Sequence, residues 1–421
     1  MARKMKDSGI EWIGEIPEGW EVIPAKFLFK NSDIRRIADD EQLTSSQQFG
    51  IISQKDYTEL TGSKVVLANK GLADWKHVEP FDFIISLRSF QGGLEMSEIT
   101  GCITWHSIVL KPCHKICSYY YKWLFKSDSY IRALQRTCSF IRDGQDLRYS
   151  NFIQVPLFEP PLAEQEKIAD YLNAECFRID AMLTKTRSSI EEYKKLKQAV
   201  ITQAVTKGVR GERKMKDSGV EWIGKVPSKW NCIKIKYLFE IRKRIAGKEG
   251  YTVLSITQTG IKPKNISSNE GQLADSYSNY QLLHFGEFAM NHMDLLTGWV
   301  DISNYNGVTS PDYRVFSLKD TITNHPRYFL YLMQMCYFNR IFYSMAQGVS
   351  NLGRWRLQSD KFLNCIFPVP SIEEQKEISD YLDTTCSEID KLIAKKEQLV
   401  KELESYKKSL IYEVVTGKRE V

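Results

Sequence analysis

The stretch that decides the fold occurs twice, as MKDSGIEWIGEIP at residues 5–17 and as MKDSGVEWIGKVP at residues 215–227. In the second copy Gly219, Gly224 and Lys225 have the G-x-x-x-x-G-K spacing of a phosphate-binding loop. Such a loop needs Ser or Thr next, to hold magnesium, and this chain has Val226. The first copy has Glu15 in place of the lysine. The spacing therefore gives no nucleotide site, and the informative feature is the repetition.

The repeat keeps an offset of 210 residues and returns at the far end of each half. EQEKIADYLNAECFRID (164–180) aligns with EQKEISDYLDTTCSEID (374–390). The two middles, roughly residues 31–150 and 241–360, resemble each other only faintly. Matched frames around unmatched centres favour a scaffold that presents two different recognition surfaces. The alternative is an old duplication whose centres have simply diverged.

Composition limits the class of protein. A chain of 421 residues predicts two or more domains with sizeable cores. It has no run of eighteen apolar residues, and the opening MARKMKDSG lacks the apolar core of a secretory signal, so we expect no membrane segment. Nine scattered cysteines favour free thiols in a cytoplasmic protein. The net charge of +6 permits nucleic-acid binding without requiring it.

One cysteine cluster has the spacing of metal ligands. CHKIC places Cys113, His114 and Cys117 close together. No second Cys/His pair stands at zinc-finger distance, and the other half of the chain has no counterpart. We therefore predict no metal site.

The matched ends predict two long helices. Residues 162–206 and 372–416 contain neither Gly nor Pro, and Ser371 with Glu374 makes a capping box at the start of the second helix. A glycine follows each stretch. Each helix would extend about 65 Å at 1.5 Å per residue.

The apolar residues of both helices recur close to a heptad, which is typical of coiled-coil packing. A helix of this length needs a partner helix, and the other copy is the obvious one; docking on another protein is the alternative, and the two are compatible. An antiparallel pair would make a rod with a globular head at each end, related by a pseudo-twofold axis. We assign the seam to Ile168, Leu172, Ile179, Met182, Tyr193, Leu196, Val200, Ile378, Leu382, Ile389, Leu392, Leu399, Leu403 and Leu410.

The middles contain short aromatic and β-branched runs broken by Gly and Asn. FDFIISLRSFQGG (81–93) and FGEFAMNHMDLLTG (285–298) indicate matching units of a strand followed by a loop. SYYYKWLFK (118–126) and PRYFLYLMQM (326–335) indicate short helices. The fold class is therefore predicted to be α+β, with two α/β recognition domains separated by two long antiparallel helices. The domain bounds are 1–160 and 209–369 for the recognition domains and 161–208 and 370–421 for the helices.

Enzyme motifs are missing from the sequence. It has no G-x-S-x-G, no H-E-x-x-H and no N-P-P-Y or D-P-P-Y run of an amino-methyltransferase. We therefore expect no catalytic centre in this chain.

The chain resembles the specificity subunits of type I restriction–modification systems along its whole length. The resemblance rests on the D-S-G-x-E-W-I-G-x-x-P openings at 7–17 and 217–227. It rests also on the helix starts PLAEQEKIADYL (161–172) and PSIEEQKEISDYL (370–382), and on VTKG or VTGK closing each helix. The two-fold repeat of a domain and a long helix is the layout of that family.

The resemblance implies a function. Each middle would read one half of a split site in double-stranded DNA, and unequal middles imply an asymmetric site. The helices would set the gap and bind two methyltransferase subunits, and through these two restriction subunits. S-adenosylmethionine, ATP and magnesium would be used by the partner subunits, with no cofactor in this chain. The alternative function is a helical adaptor whose two domains bind protein partners and have no DNA specificity.

Reading base edges requires side chains with paired donors and acceptors, and phosphate contacts require cations. In the first middle we expect these to lie in the strand–loop unit and near the end of the domain. In the second middle we expect the equivalent places, with two lysines on phosphates; His292 could instead be a satisfied core histidine. The candidates are Arg88, Gln91, Arg142, Gln145, Arg148, Lys262, Lys264, Asn291, His292, Arg354 and Arg356.

Overall fold

The computed structural model describes residues 3–63, 71–86, 89–138, 147–266, 274–346 and 355–421, without the side chains of Phe90 and Gln91. The chain divides into two compact units, Met1–Arg187 with Gln398–Val421, and Ser188–Glu397. We call residues 3–160 the first head and residues 209–369 the second head. Each unit contains one head and parts of both long helices, and the units are described separately below.

The first head consists of short strands and short helices. Its strands are β1 Met5–Asp7, β2 Glu15–Pro17, β3 Glu21–Ile23, β4 Phe29–Ser32, β5 Leu43–Ser46, β6 Gly50–Ser53, β7 Lys76–Val78, β8 Phe83–Ile85, β9 Glu95–Met96, β10 Gly101–Ile103, β11 Ile108–Pro112 and β12 Leu157–Glu159. Its α-helices are α1 Ala25–Leu28, α2 Gln54–Thr61, α3 Ser89–Gly92, α4 Ser118–Lys126, α5 Asp128–Arg136 and α6 Tyr149–Phe152.

The second head repeats nearly the same series. Its strands are β13 Met215–Asp217, β14 Lys225–Pro227, β15 Asn231–Lys234, β16 Phe239–Arg242, β17 Leu254–Thr257, β18 Gly260–Pro263, β19 Gln281–Leu283, β20 Phe288–Met290, β21 Val300–Ile302, β22 Gly307–Thr309, β23 Arg314–Leu318 and β24 Ile366–Val369. Its helices are α8 Ile235–Leu238, α9 Pro326–Phe338, α10 Ile341–Ser344 and α11 Ser359–Asn364.

The two heads share one sheet topology although their middles share little sequence. The main sheet has the order β4-β11-β8-β9 in the first head and β16-β23-β20-β21 in the second, with antiparallel neighbours. The hairpins and small pairs also correspond, for example β5-β6 with β17-β18. In the first head helix α2 comes directly after β6. In the second head the described residues between β18 and β19 contain no helix.

The cores of the heads are aromatic at equivalent positions. Phe29 packs edge-on against Phe83 at 5.4 Å between ring centroids, and Phe239 packs against Phe288 at 5.3 Å. All four rings are at most 1% exposed. Edge-to-face pairs of this kind contribute about 0.5–1.5 kcal/mol beyond the area that they bury. The main sheet is thus stabilised in both heads by the same ring geometry.

The matched ends form two long helices, α7 Leu162–Lys207 and α12 Ile372–Val415. The N–H of Glu374 lies 3.5 Å from Oγ of Ser371 at the start of α12. Gly208 and Gly417 have φ angles of 77° and 69°, the left-handed conformation that commonly ends a helix. The predicted α+β class with two long helices is confirmed.

Within each unit the two helices lie antiparallel. In the first unit Nζ of Lys407 bonds the carboxylate of Asp180 at 2.6 Å. In the second, Nζ of Lys197 bonds the carboxylate of Asp390 at 2.7 Å. Lys396 lies over the ring of Tyr193 in the second unit, 5.7 Å from its centroid. In both units later residues of one helix face earlier residues of the other.

The buried stripe of the helices differs from the predicted seam near the helix centres. Ile168, Leu172, Ile179, Ile378, Leu382, Ile389 and Leu410 are buried, and Tyr193, Val200 and Leu403 are half-buried. Met182, Leu196, Leu392 and Leu399 are 41–49% exposed. Leu183, Ile190, Ile393 and Val400 are buried or half-buried instead. Three of these, Leu183, Ile393 and Val400, each come one residue after an exposed seam residue, which turns the side chain by about 100°.

Candidate nucleic-acid interface

The repeated hairpin uses its own backbone donors, so it offers no phosphate cradle. In the second head the N–H of Gly219 bonds Oδ1 of Asp217 at 2.9 Å, and the N–H of Val220 bonds Oγ of Ser218 at 3.1 Å. Ile223 and Val226 point into the core at 5% and 0% exposure. A phosphate-binding loop needs free N–H groups directed at the ligand. The turn geometry therefore agrees with rejecting a nucleotide site on sequence grounds.

A tryptophan behind each hairpin fastens the head to its helix. Nε1 of Trp20 donates to Oε2 of Glu164 at 2.9 Å, and Nε1 of Trp230 donates to Oε2 of Glu374 at 3.0 Å. Both indoles are at most 1% exposed. Arg3 forms an ion pair with Glu164 and lies over the ring of Trp20. Arg213 does the same with Glu374 and Trp230. The recurrence of P-x-x-W in both openings could have indicated these anchors.

The E-Q motif of each helix start is structural as well. Oε1 of Gln165 accepts from the N–H of Cys117 at 2.9 Å, and Oε1 of Gln375 accepts from the N–H of His325 at 2.7 Å. Both glutamine side chains are at most 1% exposed. Their amide nitrogens donate to the carbonyls of Pro160 and Pro370. These motifs fix the start of each long helix against a helix of its head.

The far end of the other long helix is held in each unit by a tyrosine. The hydroxyl of Tyr120 donates to the carbonyl of Val415 at 2.9 Å. The hydroxyl of Tyr328 lies 3.1 Å from the carbonyl of Val205 and 2.8 Å from that of Pro368. Each head therefore packs on the start of its own helix and the end of the other. These anchors do not include the turns of the β5–β6 and β17–β18 hairpins or the loops of the strand–loop units, which together we call the edge of each head.

Those loops bring a hairpin and the strand–loop unit together in each head. In the second head Nε2 of Gln258, in the turn of β17–β18, lies 3.3 Å from the carbonyl of Thr297. Oδ2 of Asp301 accepts from the N–H of Ile261 at 3.2 Å. In the first head the side chain of Gln47 covers Gly92, at 3.0 Å from the place of a Cβ. The glutamines of these turns are exposed and were not singled out from the sequence.

Five of the predicted DNA-contacting residues are exposed or half-buried, and two of them, Lys262 and Asn291, belong to the hairpin and the strand–loop unit. Lys262 is exposed on β18, and Lys264 is half-buried just beyond it. Arg148 is exposed immediately before α6, and Arg356 is exposed three residues before the start of α11. Oδ1 of Asn291, which is half-buried, accepts from the N–H of Met293 at 3.2 Å. Arg88, Arg142, Gln145 and Arg354 lie outside the described residues, as does the side chain of Gln91 in α3.

His292 is a core residue rather than a surface one, at 7% exposure. Burial, and then the charges of Arg314 and Arg356, lower the pKa of its imidazole to about 3. It is therefore neutral at physiological pH and cannot act as a cation towards phosphate. Its carbonyl accepts from the N–H of Leu357 at 2.9 Å, which links the strand–loop unit to the segment before α11.

The cysteine cluster CHKIC is spread over a loop. Nε2 of His114 lies 2.7 Å from a carboxylate oxygen of Glu159, and all nine cysteines are free thiols. Over the described ranges no three His, Cys, Asp or Glu side chains are grouped as metal ligands. The helices that the structure describes include none long and apolar enough to cross a membrane.

The second half of the chain matches a known family. The type I restriction modification DNA specificity domain matches residues 227–402. The first half repeats the motifs and the strand order of the second, so one architecture occurs twice along the chain.

Comparisons of the whole chain agree with this family. It is 25% identical over 280 residues to the type I restriction enzyme MjaVIII specificity subunit of Methanocaldococcus jannaschii. That match covers 63% of this chain and 62% of the relative's length. The fold is similar to that of the HsdS subunit from Thermoanaerobacter tengcongensis, with a TM-score of 0.55 and 13% identity over 96% of this chain and 98% of that one.

A further chain comes from a structural study of complex assembly and conformational transition of the type I R-M system. It matches with a TM-score of 0.66 and 13% identity, over 95% of this chain and 98% of that one. At this identity the likeness concerns the fold. The chain is thus similar to type I specificity subunits in sequence motifs, in one half by family, and throughout in fold.

Proposed function

We propose that the chain is the DNA-reading subunit of a type I restriction–modification complex and recognises an asymmetric site in two parts. Each head reads one half of the site in double-stranded DNA. The long helices set the distance between the halves. They also bind two methyltransferase subunits, through which two restriction subunits join.

The observation that carries the proposal is the contrast between frame and edge. The buried anchors of both heads are the same residue types in the same bonds, for example Trp20 with Glu164 and Trp230 with Glu374. The exposed edge differs between the heads: the β5–β6 turn carries Gln47 and Gln48, and the β17–β18 turn carries Gln258. A frame held constant under two different polar surfaces supports two different sequence specificities.

The side chains at the edge suit DNA. Glutamine can pair with adenine and arginine with guanine through two hydrogen bonds in the major groove. Lys262, exposed on β18, suits a phosphate contact, which fixes register and makes affinity depend on salt. Arg148, immediately before α6, and Arg356, three residues before α11, are our candidates for base or phosphate contact.

Exposed apolar side chains along the helices support partner binding. Phe177 is 76% exposed, and Leu196, Leu392, Leu399 and Tyr406 are 41–49% exposed. Aromatic side chains buried at the centre of an interface are among those that supply most of its affinity. We assign these exposed residues to contact with methyltransferase subunits. Adenine methylation with S-adenosylmethionine, and DNA cleavage with ATP and magnesium, would take place on those partners, and this chain would supply no catalytic group.

The test is a map of methylated adenine in DNA from cells that express this chain with its methyltransferase partner. We expect a split, asymmetric motif that disappears when this chain is omitted. Exchange of residues 31–150 for those of another specificity subunit should change one half of the motif and keep the other. Methylation that is unaffected by omission of this chain would contradict the proposal and favour the adaptor without DNA specificity.

A further inference from the structure

Strand β23 of the second head contains a buried arginine that has no acidic partner among the described residues. Arg314, the first residue of β23, is 4% exposed. Burial lowers the pKa of its guanidinium to about 10. In the parts of the chain that the structure describes, no carboxylate lies within ion-pair distance of it. A buried cation is costly when no carboxylate compensates it, so its contacts must serve another purpose.

Its contacts hold one segment of the head. Nη2 of Arg314 donates to the carbonyl of Leu357 at 2.8 Å and reaches Oγ of Ser359 at 3.3 Å. The guanidinium lies over the ring of Phe362, 4.7 Å from its centroid. Leu357 is fully buried, and its N–H bonds the carbonyl of His292. The segment is thus held by β23 through Arg314 and by the strand–loop unit through His292.

The held segment carries a candidate DNA contact. Arg356 is exposed and directly precedes the anchored Leu357, three residues before the start of α11. Its charge is close enough to lower the pKa values of both His292 and Arg314. A side chain that must meet a base edge or phosphate needs a backbone fixed to within about 0.5 Å. Arg314 supplies that fixation.

The first head has isoleucine in place of arginine at the equivalent position. Ile108 pairs with Ile85 on β8 as Arg314 pairs with Met290 on β20, so Ile108 and Arg314 occupy one ladder position. The equivalent segment of the first head is held through Asn151, whose Nδ2 donates to the carbonyl of Thr137 at 2.7 Å. The hydroxyl of Tyr149 also donates to the carbonyl of Phe29 at 3.0 Å.

We propose that Arg314 is a positioning residue for DNA selectivity in the second head, where it holds residues 355–359 so that Arg356 meets its half of the site. This rests on the proposed DNA-reading function. Because the first head holds its segment differently, the effect is confined to one half of the recognition motif.

The experiment uses the full chain with its methyltransferase partner and compares methylated-adenine maps. The variants are Arg314→Met, Arg314→Lys and Arg356→Ala, with Ile108→Met as the matched control at the equivalent position of the first head. A thermal unfolding profile of each purified chain accompanies the maps. Ser359→Ala removes one acceptor only and serves if Arg314→Met does not fold.

We expect Arg314→Met to reduce base preference in one half of the motif by about tenfold and to leave the other half unchanged. Arg314→Lys should fall between, since one ammonium cannot make both bonds and cover the ring. Arg356→Ala should affect the same half, and Ile108→Met neither half.

Two results would overturn the inference. Base preference that stays intact in both halves while Arg314→Met lowers the unfolding temperature would mean that Arg314 only stabilises the fold. If Arg314→Met and Arg356→Ala reduce base preference in different halves of the motif, Arg314 does not act through Arg356. Failure of the proposed function is distinguishable, because then the unsubstituted chain gives no motif.

Discussion

The two heads have the same strand order, and they differ in how the segment around the start of α6 or α11 is held. At one ladder position the first head has Ile108 and the second has Arg314, which is 4% exposed. The ring pair of Phe29 with Phe83 and its equivalent Phe239 with Phe288 are nevertheless nearly identical in geometry. A fold of this kind keeps its frame by repeating buried contacts and changes its surface by changing how each loop is supported.

The largest effect should come from the shared anchors. Trp20→Ala and Trp230→Ala each remove a fully buried indole and leave a carboxylate oxygen without its donor, so each should lower the free energy of unfolding by about 3–5 kcal/mol. Urea denaturation of the full chain measures this loss. Trp105→Ala, at a side chain that is 55% exposed, is the control and should cost little. A loss below about 1 kcal/mol at either anchor would show that the heads are not held alike.

The next effect is a pH dependence that only the second head should show through His292. Its folded pKa is about 3 against 6.5 unfolded, so below pH 6.5 the unfolded chain binds the extra proton. The stability that neutral His292 contributes is complete above pH 6.5 and is lost as pH falls towards 3.

Comparison of the unsubstituted chain with His292→Gln isolates this contribution. Between pH 7 and pH 5 the unsubstituted chain should lose about 2 kcal/mol more of its unfolding free energy than the variant loses. Urea denaturation at the two pH values gives the difference. Equal losses in both chains would mean that His292 is protonated in the folded state.

A smaller effect should separate the two tyrosines that hold helix ends. Tyr120→Phe removes one hydrogen bond to Val415 and should cost about 1 kcal/mol. Tyr328→Phe should cost more, because one hydroxyl hydrogen is shared between two carbonyls, those of Val205 and Pro368, and both lose it. Unfolding free energies of the two variants, measured together, check the order. The reverse order would contradict the stronger tether in the second head.

The smallest effect should come from the ion pairs between the helices. Lys407→Met in the first unit and Lys197→Met in the second each remove an exposed pair with Asp180 or Asp390. Each should cost less than about 1 kcal/mol, and the cost should shrink further at high salt. Unfolding measured at two salt concentrations tests this. A loss that persists at high salt would show that the pair is not an ordinary surface interaction.

Much of the architecture could be predicted because it repeats. The 210-residue offset gave two long helices, and the structure places them at Leu162–Lys207 and Ile372–Val415. Short aromatic runs gave the strands and the helices that begin at Ser118 and Pro326. The common topology of the two middles could not be predicted, since different apolar residues can fill the same core positions.

Which of the candidate residues are exposed was predicted only in part. Lys262 and Arg356 are exposed where the sequence suggested, but His292 is buried, and the exposed turn glutamines such as Gln258 were missed. Single polar residues carry no periodicity, so the sequence does not tell which of them face solvent. The predicted helix seam differs from the buried stripe near the helix centres: Leu392 and Leu399 are exposed, and Ile393 and Val400 lie inwards.

By itself the sequence determined that the chain is a tandem repeat of a head and a long helix, because buried anchors and apolar stripes need the same residue types at the same spacing in both copies. Only the tertiary structure decided what those motifs do and which residues of the hairpins and strand–loop units lie together in each head. It showed that Trp230 and Gln375 bind helix and head together and that Arg314 supports the segment of Arg356. These contacts join residues between about 40 and 145 positions apart, and such distances leave no pattern in local sequence.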